Sequence, residues 1–362
     1  MPAGGRYAKK KSQAPIFSQQ FFIDNHADIF SCICAVICLG LMFQTTSRIA
    51  NPFCAPQYNS TINRTNSSNV TEEIQLFHIG SRDVFTLIFY TMIWIIVHAV
   101  FHEYVWEKYG RRLHLSKTKT AEFYDNGNFV VFYFVSTVAG ATILIQQEYL
   151  FPPSQLWRQY PDLPIRFIEK MYFILLIGFW LHNFPEVYLM KTKKEEIQDK
   201  LVTYVINLSL VLGHYVFGFI RLGIFFFVFH NSGEFFKTLS NLLQLCGKRV
   251  SAIQTLSSIW LVLTKISILA VAIAAYLFGL PSQFSEEIPI GFETGNFNLP
   301  TIRFPMLAGV MAVTLLQLWT FITTQLKSQR DEKSHRKTAT SDHKERKKEE
   351  EIKKRKKIST NH

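Results

Sequence analysis

Apolar residues in this chain gather into blocks of about 20, and that spacing limits its fold more than any motif does. A helix of about 20 residues at 1.5 Å rise crosses a hydrocarbon core of about 30 Å. Eight such blocks stand out, at about 27–47, 83–103, 129–149, 166–190, 201–219, 222–245, 256–280 and 302–326. The weakest boundary lies between the fifth and sixth, where Gly218 to Arg221 alone separates them; a seven-span reading fuses or drops one there. Helices are the expected element, because lipid cannot satisfy open backbone groups and no porin-like alternation is present. The expected fold class is all-α: a polytopic membrane protein of about eight transmembrane helices.

Composition alone does not lead there. With 48% hydrophobic and 18% charged residues, 362 residues could form one large soluble protein, and only the block distribution excludes it. Basic residues at Arg6 and Lys9 to Lys11 precede the first block, which is too long for a signal peptide and lacks a small-residue cleavage site. The first span is therefore expected to act as an uncleaved signal-anchor. The cysteines form no framework: Cys32, Cys34 and Cys38 fall inside the first block, Cys54 follows it alone, and Cys246 ends the sixth. An odd, scattered set argues against a disulfide scaffold or a zinc site and for small, buried apolar roles.

Two independent signals set the expected topology. The loop 51–82 carries four N-x-S/T sequons, at Asn59, Asn63, Asn66 and Asn69, within 13 positions. Such density places a lumenal, glycosylated loop over 48–82. A fifth match, Asn207-Leu208-Ser209, lies inside a block and is expected to be inert. With a cytosolic N-terminus, the cytosolic segments are 1–26, 104–128, 191–200, 246–255 and 327–362. They carry 4, 5, 4, 2 and 14 Lys and Arg residues; with Lys237 they hold 30 of the 39. This is the asymmetry that the positive-inside rule requires.

The tail 327–362 is nearly devoid of apolar residues and mixes basic and acidic blocks, so it is expected to be solvated and disordered. It and the loops holding Arg111, Arg112, Lys117, Lys119, Lys193 and Lys194 suit anionic lipid or the phosphates of ribosomal RNA, without specific nucleic-acid recognition. Orientation signals alone explain them equally well.

Candidate chemistry is sparse. His98 and His102 share one helix face at i and i+4 in HAVFHEY, as zinc ligands do, but a third ligand at a usable spacing is missing. An interfacial polar cluster is the better reading, and no metal is expected. Pro185 in HNFPE is expected to kink the fourth span at its end. LWRQYPDLP (156–164) and FETGNFN (292–298) read as interfacial anchors and loops. No Gly-rich phosphate loop, nucleophile elbow or paired-carboxylate site is present, so no cofactor is expected. The exception to all this blandness is VLGHYVFGFIRLGIFFFVFHNSGEFFK (211–237), which sets His214, Arg221, His230 and Glu234 in apolar sequence. Ionisable groups at membrane depth cost roughly 2.5–3.5 kcal/mol each on insertion scales and persist where they face a partner or cavity. His230 and Glu234, at i and i+4, share a helix face and form either a proton-handling site or a structural tie.

Several long motifs resemble the translocating chain-associated membrane protein (TRAM) family. They are FIDNHADIFSC (22–32), LGLMFQTT (39–46), HAVFHEY followed by RRLHLSKTK, LWRQYP (156–161), FWLHNFPEVYLMKTKKEEI (179–197) and GNFN (295–298), in order over about 14–327. The resemblance implies an endoplasmic reticulum protein beside the Sec translocon that contacts nascent signal sequences and transmembrane segments and helps them insert or translocate. It implies a TLC-type helical bundle over 116–326, after a cytosolic 1–26 and two spans in 27–115. Ceramide synthases share that fold, which keeps a lipid enzyme or lipid-binding protein as the alternative. Their acyl transfer uses a His-His pair and a later His-Asp. Here the matching positions read His214-Tyr215 and His230-Asn231, with Glu234 after them, so the catalytic set is incomplete. A non-enzymatic protein, with a nascent-chain or lipid groove at His214, Arg221, His230 and Glu234, is the expectation.

Overall fold

In the computed structural model the described residues are 15, 18–65, 71–158, 160–161, 165–190, 192, 194–247, 251–285, 287–292, 294–327 and 330. The tail beyond Arg330, Asn66, Asn69 and Lys193 lie outside them. Among the described residues, eight helices reach 22 residues or more. They are α1 Gln19–Gly40, α3 Asp83–Leu113, α4 Lys117–Gln146, α5 Phe167–Leu189, α6 Lys194–Val216, α7 Ile220–Leu245, α8 Ser251–Gln283 and α9 Pro300–Lys327. A short α2, Gln44–Cys54, follows α1. Five of them (α1, α3, α4, α8 and α9) are long and apolar enough to cross a membrane. The other three are less apolar: α5 carries buried Glu169, Lys170, His182 and Glu186, α7 buried Asn231 and Ser232, and α6 opens on the charged run 194–200. The chain is an all-α, multi-pass membrane protein.

Helix ends follow local chemistry more than block edges. The first block begins at about residue 27, yet α1 starts eight residues earlier, where Ser18 Oγ accepts from Phe21 N at 3.1 Å and supplies an N-cap. The block's far end leaves α1 at Gly40 and enters the separate α2. Pro185, expected at a kinked terminus, lies inside α5, which continues a further turn while Val187 and Leu189 bury their side chains.

The sequon loop folds further than its polar sequence announces. Strands β1 (Asn59–Thr65) and β2 (Thr71–Phe77) pair antiparallel, Asn59 opposite Phe77 through Thr65 opposite Thr71. A two-residue β3, Ile165–Arg166, adds to β2 just before α5. Buried Phe77 and Ile165 then tie the hairpin to the helical core.

Residues Met1–Met311 form one compact unit; the described part of the second, Ala312–His362, is the remainder of α9 and Arg330. Within the first unit α4 packs along α7, α7 along α8, and α3 against α5. Lipid gives helices no hydrophobic reason to associate, so such contacts depend on close packing and small residues. Gly140 is the clearest case: a Cβ there would overlap Val228 Cγ2 and lie 2.8 Å from Tyr172 Oη. Phe132 and Phe179 stack with centroids 3.4 Å apart at the centre of the α3–α4–α5 contact. All five cysteines are free; Cys34 is buried and Cys32 and Cys38 are exposed on α1. At the end of α2, burial and then the neighbouring Cys38 raise the Cys54 thiol to about 11.

Candidate functional site: three buried polar clusters

The histidines singled out in the sequence occupy two separate places. His214, 1% exposed, holds its Nδ1 2.8 Å from the Leu210 carbonyl and its Nε2 3.1 Å from Tyr276 Oη. A carbonyl only accepts, so Nδ1 carries the proton and Nε2 accepts from the tyrosine hydroxyl. Phe226 and Phe227 meet its ring edge-on. Tyr276 is presented by a wider turn of α8 over Ala274–Gly279, the kind of local π-helical insertion that redirects a side chain.

His230 and Glu234 do come together, but through a residue that spacing did not single out. Lys265 on α8, 1% exposed, reaches His230 Nδ1 at 2.8 Å and Glu234 Oε1 at 3.4 Å, while Lys237 Nζ lies 3.0 Å from Glu234 Oε2. The ammonium donates to Nδ1, which leaves the His230 proton on Nε2. Lys265 and Tyr276 stand eleven positions apart on α8, about 16 Å of helix. His214 and the His230 cluster therefore sit at different depths. Arg221 belongs to neither: its guanidinium donates to the carbonyls of Gln155 (3.2 Å) and Arg158 (3.1 Å) and lies over the Tyr149 ring at 4.9 Å.

A second cluster closes the hairpin end of the bundle. Lys170 on α5, 0% exposed, pairs with Asp83 Oδ1 at 2.7 Å and donates to the carbonyls of Gln57 (2.9 Å) and His78 (2.7 Å). Asp83 Oδ2 accepts from Tyr215 Oη at 2.9 Å and from Gly80 N at 3.1 Å. The ammonium thus faces one carboxylate oxygen as an ion pair and hydrogen-bonds two carbonyls, while the other carboxylate oxygen accepts two hydrogen bonds. Tyr215, the residue that breaks the expected His-His pair, is thus a structural partner of this buried ion pair.

The third cluster lies at the other end of α5, in a small, partly open cleft walled by α3, α4, α5 and α6. His182 Nδ1 bonds the Phe179 carbonyl, so its Nε2 accepts; His98 Nδ1 stands 3.3 Å away and donates to it. His98 Nε2 in turn accepts from Asn128 Nδ2 at 2.7 Å. The result is a directed chain, Asn128 to His98 to His182 to the Phe179 carbonyl, with both imidazoles neutral. His102 sits 6.4 Å from His98, ring to ring, on a wider turn of α3 over His102–Trp106. With His98 fully engaged elsewhere, the two do not form a ligand pair, and no group of three metal-ligating side chains occurs among the described residues. Glu186 lines the same cleft, and the ion pair Lys200–Asp125 (2.6 Å) stands at its exposed rim.

The remaining expected positions are surface ones. Asn59 is exposed on β1, and Asn63 lies on the same strand. Arg111, Arg112, Lys117, Lys119 and Lys194 are exposed, with Arg111 paired to Glu107.

A family model described as a TLC domain matches residues 122–323. Over a longer reach, the chain is 34% identical to translocating chain-associated membrane protein 2 of Homo sapiens across 328 residues, 90% of this chain and 86% of that one. The Mus musculus protein of the same name is 32% identical over 325 residues. The chain belongs to the TRAM family. Similarity to ceramide synthase 4 of Bos taurus is narrower, 21% over 123 residues, 34% of this chain. The relatives that this TRAM-family chain matches over most of their length are named for association with translocating chains. It is a multi-pass membrane protein of the translocation-associated kind.

Proposed function

We propose that this TRAM-family protein is an accessory of the endoplasmic reticulum translocation machinery that contacts nascent signal sequences and transmembrane segments and assists their insertion. The observation that carries the reading is the reach of the similarity: it covers 90% of the chain, so it includes the first spans and the sequon loop as well as the TLC domain. In this reading the chain crosses the membrane eight times with both termini cytosolic. Glycans sit at the hairpin end, on Asn59, Asn63, Asn66 or Asn69. Lys265, Glu234 and Lys237 would offset part of the insertion cost of a polar residue on an incoming segment. The basic positions Arg111, Arg112, Lys117, Lys119, Lys193 and Lys194 face the ribosome or anionic lipid. A TLC-type lipid enzyme is less well supported, because His214 has both ring nitrogens committed and no free lone pair to act as a base.

Site-specific crosslinking of stalled nascent chains in microsomes tests the proposal. Adducts from signal sequences or transmembrane segments to this protein are expected; absence of adducts, together with normal insertion in depleted microsomes, rules the role out. Loss of glycosidase-sensitive mass in an Asn59/63/66/69→Gln variant checks the topology.

A further inference from the structure

The loop that joins α8 to α9 is polar inside and apolar outside. Asn296 and Asn298 are 3% and 2% exposed, while Phe284, Ile288, Ile290 and Phe292 are 49%, 37%, 48% and 66% exposed. Of the segment 292–298, expected to anchor at the interface, Phe292 does face outward, but Asn296, Phe297 and Asn298 turn in. Hydrogen bonds hold this inversion in place. Asn296 Nδ2 donates to the Ile288 carbonyl at 2.9 Å, Gly291 N to the Asn296 carbonyl at 3.1 Å, and Thr294 Oγ1 to the Pro289 carbonyl. Asn298 Nδ2 ties the loop to the last turns of α8 through the Leu280 carbonyl at 2.6 Å, and Phe297 N donates to Tyr160 Oη at 3.1 Å. The polar side chains are consumed inside, and the fixed backbone keeps the apolar ones out. In water, each large apolar side chain left exposed forgoes about 1.5–3 kcal/mol of burial.

An apolar medium removes that penalty, and the loop's ends say which medium is near. Gln283 closes α8 and Pro300 opens α9, two helices long and apolar enough to cross a membrane. The residues 284–299 between them, bonded back to Leu280, stay close to the bilayer surface. Charge limits their depth. Glu287 is exposed beside Ile288, and Glu286 and Glu293 flank the same stretch in sequence. Carboxylates are excluded from hydrocarbon, so a segment carrying them enters only the boundary between headgroups and acyl chains.

We propose that residues 284–292 form a shallow membrane anchor that binds the lipid surface beside α8 and α9. Phe284, Ile288, Ile290 and Phe292 rest at the acyl boundary, as aromatic and aliphatic interface anchors do, while Glu287 stays in the headgroup layer. The assignment is independent of the translocation role, since it concerns the resting protein in lipid alone.

A photoactivatable diazirine side chain placed at Ile290 or, separately, at Phe292 of the full chain in phosphatidylcholine nanodiscs tests it, with adducts identified by mass spectrometry. Phospholipid adducts are expected at both positions. With the probe at Ile290, an Ile288→Asp/Phe292→Asp variant should lose most of them, because two added carboxylates draw the loop into water. In detergent that variant should melt with wild type, since the replaced side chains are outward-facing. Water-addition products alone in wild type overturn the proposal, as do lipid adducts undiminished in the double variant. A large drop in its melting temperature would make these side chains part of the fold and likewise overturn it. Adducts to a stalled nascent chain in microsomes, without lipid adducts in nanodiscs, would refute the lipid assignment in favour of a peptide-contact surface.

Discussion

Asp83 and Glu186 are both carboxylates in the helical bundle, 2% and 4% exposed, yet their surroundings are opposite. Asp83 accepts from Tyr215 and Gly80 N and pairs with Lys170, whose other protons go to two backbone carbonyls. Glu186 has no such company among the described residues. Equal burial thus gives two different physical situations. Where partners are complete the charge belongs to the architecture and its removal orphans what remains; where they are lacking, the fold gains nothing from it.

Stability measurements in detergent put that contrast at risk. The largest loss is expected for Asp83→Ala, about 3–5 kcal/mol, since the Lys170 ammonium is left buried and uncompensated. Combining Asp83→Leu with Lys170→Met should recover a large part of it; no recovery would mean that the ion pair is not the source. Lys265→Met should cost about 1.5–3 kcal/mol, because Glu234 keeps the half-exposed Lys237 as a second partner. Tyr215→Phe, which deletes one hydrogen bond while leaving Asp83 two others, should cost about 1 kcal/mol. Last comes Glu186→Leu, with no loss or a small gain in melting temperature. A drop there as large as that for Asp83→Ala would erase the distinction.

Much of the helical architecture was legible because the apolar spacing that specifies a span is local. The hairpin was not: its strands are polar and become recognisable only when Lys170, some 90 residues away, clasps the backbone on either side of them. The polar sites were legible to the extent that their residues were neighbours in sequence. His230 and Glu234 at i and i+4 were visible, while Lys265, which joins them from another helix, was not. Its signal was present all the same, as a single charge in the apolar block 256–280. At the cleft, the visible pair was His98 and His102, whereas the bonded pair is His98 and His182, 84 positions apart. Long-range partners of this kind leave no periodicity. Tyr215 was legible only as a departure from a catalytic pattern, and its bond to Asp83 gives that departure a positive reason.

Helix α5 carries Lys170 near one end and Glu186 near the other, 16 residues away, about 24 Å along one rod. Lys170 grips the base of the hairpin that bears Asn59 and Asn63, and Glu186 forms part of the cleft wall. Whatever pulls on that hairpin, a bulky glycan or a passing chain, pulls on the axle that carries the opposite wall.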